Sequence, residues 1–327
     1  MDARAPLNGW LILDKPVGLG STQAVSAVKR ALRVGGYTKA KVGHGGTLDP
    51  LASGVLPIAI GEATKLSGRM LDADKAYDFT ISFGAQTDTL DAEGKVVAES
   101  DARPTWAQVA AVLSQFTGPI SQVPPAFSAL KVDGKRAYDL ARAGEEVELK
   151  SRDVTIHSLL IHHPELVSGS IVQQVPEQET EWMLKQVQHD RLAEITLSAC
   201  VSKGTYVRSL ARDIAHALGT VGHVTMLRRT KAGPFTLESA ISLDILDQAA
   251  TDARLQELLL PLTAGLDDIP VLAVSPDQAH ALRQGRRLLG TAAPPGLNLA
   301  MLGEMPVALV EVGEDVSVVR GFNLMSE

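Results

Sequence analysis

Apolar positions recur at two periods along this chain. Residues 77–83, Tyr77-Asp78-Phe79-Thr80-Ile81-Ser82-Phe83, alternate apolar and polar, the period of a half-buried strand. Val25, Val28 and Leu32 step by three and four behind Ser21 and Thr22, so a helix is expected there with either hydroxyl as its cap. The same reading predicts strands over 10–13 and 55–60 and a helix over 62–71. A helix capped by Thr105 should run to Phe116 and stop at Gly118. Residues 128–132 read as a strand, Asp133-Gly134 as a turn, and 136–143 as a helix closed by Gly144. Further on, a strand over 193–201, a Lys203-Gly204 turn, a helix over 207–218 and a strand over 223–227 follow in order. Strands and helices mix without a strict βαβ rhythm, which predicts an α+β fold with a largely antiparallel, mixed sheet.

The texture changes near residue 250. A helical pattern over 247–259 passes through Pro261 and Pro270 into short β-type runs such as 306–312. We therefore expect a large domain over 1–248 and a small β-rich domain over 249–327. Residues 164–190, rich in Gln and Glu, read as an insertion with no assigned role.

The 327 residues are 45% hydrophobic and 21% charged, an ordinary globular balance. Neither a leader-like apolar run nor a stretch of the roughly 18 apolar residues needed to span a bilayer is present, so a cytoplasmic protein is expected. The single cysteine, Cys200, lies in an apolar run and reads as a structural thiol, and no zinc spacing exists.

A net charge of −7 argues superficially against a nucleic-acid partner, but its distribution argues the other way. Six bases and no acid lie between Lys15 and Leu48 (Lys15, Lys29, Arg30, Arg33, Lys39, Lys41). Six more (Lys203, Arg208, Arg212, Arg228, Arg229, Lys231) face only Asp213 between Lys203 and Lys231. Residues 244–327 hold twelve acids and five bases, a surplus equal to the whole net charge. The two basic runs are candidate phosphate contacts.

Between them stands Gly43-His44-Gly45-Gly46-Thr47-Leu48-Asp49-Pro50, a glycine-rich turn that ends on one carboxylate. Glycine permits positive φ and close approach, while Pro50 biases Asp49 towards an extended backbone, so the side chain is aimed by a stiff frame. His44-Gly45-Gly46 is compatible with an esterase oxyanion loop, but no Gly-x-Ser-x-Gly elbow occurs. The turn also lacks the Gly-Lys-Ser/Thr of a phosphate-binding loop, and Asp88 and Asp91 do not have calcium-loop spacing and read as a turn.

The Asp49 segment resembles the catalytic motif of the TruB family of pseudouridine synthases. Asn8-Gly9-Trp10-Leu11-Ile12-Leu13-Asp14-Lys15-Pro16-Val17-Gly18 is similar to the family's first motif. Gly61-Glu62-Ala63-Thr64-Lys65, Asp74-Lys75-Ala76-Tyr77, Ser202-Lys203-Gly204-Thr205-Tyr206-Val207-Arg208-Ser209-Leu210 and Leu227-Arg228-Arg229-Thr230 follow in the family's order. The resemblance implies isomerisation of the T-loop uridine at tRNA position 55, with no cofactor, no metal and no required protein partner, by a monomer. It assigns catalysis to Asp49, with Arg208 holding that carboxylate ionised and Tyr77 stacking on the base. Tyr206 and Leu227 would line the uracil pocket, His44 would fill the place of the extracted base, and Lys15 would support the loop. Lys65 would contact substrate. Phosphate contacts are expected at Arg33, Lys41, Lys131, Arg136, Lys203 and Arg228, with residues 131–136 in a segment that closes over the tRNA. The C-terminal domain should be PUA-like. The competing expectation is an RNA-binding folding factor that inserts His44 into tRNA, with isomerisation secondary.

Overall fold

The computed structural model describes residues 4–128, 130–132, 135–138, 149–162, 191–290 and 293–324. The 164–190 insertion, the Asp133-Gly134 turn and most of the helix expected over 136–143 lie outside these residues. The chain divides into two compact units, one made of residues 1–50, 54–72 and 232–327, the other of 51–53 and 73–231.

In the first unit, β1 (Gly9–Lys15) runs antiparallel to β3 (Ser53–Ile60), and the short β2 (Val42–His44) pairs with β3 as well. Residues 54–60 of β3 are all buried, which explains why that strand reads as a continuous apolar run rather than an alternation. The first helix, α1 (Ser21–Val34), buries Ala24, Val25, Ala27, Val28, Ala31 and Leu32. Its cap differs from expectation. Gly20 is the N-cap, its N–H donating to Gln23 Oε1 at 2.7 Å, and the Ser21 hydroxyl is used elsewhere. The helix expected over 62–71 is a 3-10 helix, Gly61–Leu66, continued by a short α-helix, Ser67–Asp72.

The last strands of this unit form a five-stranded sheet in the order Val271–Ala273, Gly296–Leu302, Met305–Val312, Asp315–Gly321, Leu288–Leu289, with the Pro276–Arg283 helix against it. This is the expected β-rich C-terminal region. It shares one core with β1 and β3: Trp10, Ile12, Val55, Ala59, Leu262, Leu299, Leu309 and Phe322 pack together, all 4% exposed or less except Leu309. The backbone is stitched to match, with Trp10 N–H donating to Leu260 O at 2.9 Å, Leu260 N–H to Trp10 O at 2.8 Å, and the Trp10 indole to Leu262 O at 3.2 Å. The helix expected over 247–259 is an α-helix over Leu243–Thr251 that breaks at Ala253, where φ is 58°, and resumes as the 3-10 turn Leu255–Leu258.

The second unit is built on a sheet in the order Gly222–Ala232, β4 (Lys75–Phe83), Glu194–Val201, Arg152–Ile161, Gly118–Gln122. The three pairings from β4 outward are antiparallel, so the largely antiparallel expectation holds. Phe79 and Ile81 are fully buried, and the Val207–Ala217 helix buries Leu210, Ala211, Ile214 and Ala215. Gly118 does not end a helix but opens a strand; Thr105 caps Trp106–Val112 as expected, accepting from Gln108 N–H at 3.3 Å. Lys131–Val132 pairs with Lys135–Arg136, which is shorter than the strand expected over 128–132, and the described residues 137–138 are helical, one position after the expected helix start.

Candidate active site

Asp49 is half-buried, on a loop held at both of its ends. On one side Ser21 Oγ donates to Leu48 O at 2.9 Å and accepts from Leu48 N–H at 2.8 Å. On the other, Gly18 N–H donates to Pro50 O at 2.8 Å, and the Lys15 ammonium reaches the same oxygen at 3.4 Å. The residues flanking the carboxylate are thus fixed by α1 and by the end of β1. The sequence reading missed this loop-holding contact of Ser21, having taken its hydroxyl as a possible helix cap.

Lys15 is fully buried, its Nζ donating also to Pro16 O at 2.9 Å and Leu19 O at 2.7 Å. An ammonium carried out of water is tolerated only where dipoles replace the lost hydration, and convergent carbonyls do so here. Lys15→Met should therefore orphan carbonyls, lower unfolding free energy by about 2–3 kcal/mol and slow single-turnover chemistry at least about tenfold. Denaturant unfolding beside rapid-quench kinetics reads both quantities. A stable variant with an unchanged rate would remove the loop-supporting role.

The glycines of the turn have separate uses. A Cβ on Gly45 would come within 2.7 Å of Met70 Cβ, and Gly46 has φ 146°, which non-glycine residues rarely adopt. The first serves packing rather than approach to a ligand. His44, the last residue of β2, is half-buried, and its Nδ1 accepts the Gly46 N–H at 3.4 Å, which requires that nitrogen to be unprotonated. Arg33 and Lys41 are exposed. Lys65 is committed within the fold, its Nζ 2.7 Å from Glu62 Oε2 and 2.9 Å from Gly321 O.

In the second unit, two of the sequence-predicted residues lie at the start of the Val207–Ala217 helix. Tyr206 is its N-cap residue and Arg208 lies in its first turn, 8% exposed. Arg208 Nη1 donates to Thr89 O at 2.8 Å and to Asp91 Oδ2 at 3.0 Å, while Nη2 donates to Phe127 O at 3.1 Å. Asp91 is itself 3% exposed, its Oδ1 accepting from Thr89 Oγ1 at 2.5 Å and from Glu93 N–H at 3.1 Å. The 87–94 segment is the turn that its sequence suggested, but Asp91 faces inward as the anion of a buried ion pair. Leu90 beside it has φ 63°, an uncommon backbone for a branched side chain. No metal-sized cluster of His, Cys, Asp and Glu occurs among the described residues.

Tyr77 sits half-buried on β4 opposite Ala199. Leu227 is 9% exposed on the Gly222–Ala232 strand, next to Arg228, whose Nη1 donates to Ser53 Oγ at 3.3 Å. Lys203 is exposed in the turn before the helix. Lys131 and Arg136 are paired backbone positions on two short antiparallel strands. The structure thus gathers Lys15, His44 and Asp49 around one loop, and Tyr206, Arg208 and Asp91 around one helix start.

The chain is similar to known proteins along nearly all of its length. The model of the TruB family pseudouridylate synthase N-terminal domain matches residues 33–207, and that of the tRNA pseudouridylate synthase B C-terminal domain matches 208–267. The tRNA pseudouridine synthase B of Zymomonas mobilis subsp. mobilis is 58% identical over 97% of this chain and 96% of its own length. That of Novosphingobium aromaticivorans is 60% identical over 97% of this chain and 98% of its own. Among solved structures, a Cbf5-Nop10-Gar1 complex aligns with a TM-score of 0.68 at 23% identity, covering 97% of this chain and 85% of the other, a likeness of fold. An H/ACA RNP bound to a substrate RNA containing 2'-deoxyuridine aligns with a TM-score of 0.67 at 22% identity over the same shares of the two chains. A family model spanning more than half of the sequence, and relatives this similar along nearly all of it, establish that the chain belongs to the TruB family of pseudouridylate synthases.

Proposed function

We propose that this enzyme converts the T-loop uridine at tRNA position 55 into pseudouridine, with Asp49 acting on the ribose of a flipped-out nucleotide. The observation that carries the reading is the bracing of Asp49 through both neighbours, Leu48 by Ser21 and Pro50 by Gly18 and Lys15. A carboxylate so held is preorganised to meet the positive charge that develops on a sugar as its glycosidic bond breaks.

The reaction is an isomerisation. The N1–C1′ bond breaks, the uracil turns over, a C5–C1′ bond forms, and the proton displaced from C5 is balanced by one gained at N1. The leaving base is also the returning nucleophile, so one carboxylate suffices. On the resemblance to the family, Tyr77, Tyr206 and Leu227 would wall the base and Arg208 would keep the reacting carboxylate ionised. Extracting a stacked base costs about a few kcal/mol, which His44 offsets by taking its place.

Incubating the protein with unmodified tRNA transcript and mapping pseudouridine base by base tests this. Modification confined to position 55 is expected. None, or modification elsewhere, would overturn the reading. We also read residues 1–248 as the catalytic domain and 249–327 as an accessory RNA-contacting one, in a cytoplasmic monomer. Light scattering of the purified protein reports the last point.

An acidic protein that binds a polyanion must do so through local charge. The exposed Arg33 and Lys41 flank the Asp49 loop in a stretch without acids. Arg33→Ala with Lys41→Ala should weaken tRNA binding and flatten log affinity against log salt by roughly 0.7–0.9 per lost contact. Neutralising the exposed Asp267 should leave that slope unchanged, because exposed charges are screened over about 8–10 Å, whereas Asp268 pairs with Arg69 and its loss would free that cation. Salt-titrated binding to a T-arm stem-loop measures both, and an unchanged slope in the basic variant would place the RNA on another face.

A further inference from the structure

We infer that Gln122 and Arg152 form a cradle that positions Tyr206, and through it the first turn carrying Arg208; the inference rests on the roles proposed above for those two residues. Gln122 closes the Gly118–Gln122 strand and Arg152 opens the Arg152–Ile161 strand, and the two are direct cross-strand partners. They grip one residue from two directions. Gln122 Oε1 accepts the backbone N–H of Tyr206 at 2.8 Å, while the Arg152 guanidinium lies 5.2 Å from the centroid of the Tyr206 ring.

The helix that Tyr206 begins has no side-chain cap of its own. Its first turns are fastened instead to the segment after Gln122. Val123 O accepts from Ser209 Oγ at 2.8 Å and from Arg212 Nη2 at 3.1 Å, and Phe127 O accepts from Arg208 Nη2 at 3.1 Å. Of these tethers, the Gln122 amide is the one that acts on Tyr206 itself.

The state of that amide argues for its purpose. Because Tyr206 donates, the Gln122 oxygen must face it, which fixes the Nε2 group as the other arm. Gln122 is fully buried and its Nε2 has no hydrogen-bond partner among the described residues. A buried donor left unmatched is costly, and an apolar side chain of equal length would fill the space without that cost. What glutamine adds is the acceptor for Tyr206. Arg152 adds a cation over the ring, an attraction that restrains ring rotation.

The test compares single-turnover rates at saturating unmodified tRNA, with tRNA affinity and thermal melting measured alongside. Gln122→Met removes the acceptor at constant length, and its rate should fall at least tenfold while affinity stays within about threefold. Gln122→Glu keeps an acceptor and should recover most of the rate. Arg152→Met should slow wild type by roughly three- to tenfold but add no loss in a Tyr206→Ala background, where the ring it braces is gone. A Gln122→Met enzyme at wild-type rate, or an equal Arg152→Met effect with and without the Tyr206 ring, would overturn the cradle. If Gln122→Met fails to fold, the Arg152 and Tyr206 cycle still decides. Full turnover by Tyr206→Ala would instead remove the proposed role of Tyr206, and the cradle's purpose with it.

Discussion

Asp49→Asn is expected to abolish pseudouridine formation while tRNA affinity stays within about tenfold, or about 1.4 kcal/mol. The substitution preserves the shape of the side chain and leaves the braces on Leu48 and Pro50 in place, because the bonds from Ser21, Gly18 and Lys15 to those two residues end on their backbone atoms. What it removes is the negative charge that the proposed chemistry requires at the ribose. Affinity, by contrast, is set by phosphate contacts spread over many bases. Rapid-quench assays with base-resolved detection and filter binding at one salt concentration separate the two. Turnover near wild type would take Asp49 out of the reaction, and a collapse of binding would make it a tRNA-docking residue instead.

The second large effect is expected at Asp91, which the proposed chemistry does not use directly. The Arg208–Asp91 pair is 3.0 Å long with side chains only 9% and 5% exposed. Removing one member of a buried pair strands the other charge, at a cost of about 3–5 kcal/mol. Arg208 keeps the Thr89 and Phe127 carbonyls, so the lower end is expected for Asp91→Ala. Asp91→Asn is the sharper probe, since its amide oxygen can still accept from Thr89 and Glu93 and hold the turn. Its rate should fall about a hundredfold or more, roughly 2.7 kcal/mol of barrier, with a smaller loss of stability. A double-mutant cycle with Arg208→Lys should be strongly non-additive. Additive losses would show that Asp91 acts on the fold and not on the arginine.

The sequence made some of this legible and hid the rest for identifiable reasons. The Asp49 turn and the helix bearing Arg208 are local in sequence, so their glycines, prolines and periodicity announce them. The partners that fix them are not local: Ser21 meets Leu48 across 27 positions, Gln122 meets Tyr206 across 84, and Arg208 meets Asp91 across 117. Only pairing of distant elements brings these groups together. The Arg152–Ile161 strand escaped detection for a different reason. Val154 and Ile156 alternate, but a register shift between Ile156 and Ser158 moves the next buried position to Leu159 and breaks the period of two. The 3-10 helix at Gly61–Leu66 likewise does not follow from residue preferences, since its start depends on Asn8 Oδ1 accepting the Glu62 N–H at 2.8 Å.

The bonds between Trp10 and Leu260 set a timetable for synthesis. The first strand of the protein finds one of its hydrogen-bonding edges, and much of its apolar cover, in residues made some 250 positions later. At about 5–20 residues per second a ribosome takes roughly 10–50 s to deliver them. Through that interval the nascent chain holds an unfinished strand edge and an indole without its final burial, both templates for misassociation. The second unit, encoded in between, has the opposite schedule, since all of its residues have been made by position 231. On that schedule the middle of the chain is complete while the beginning still lacks residues from the end.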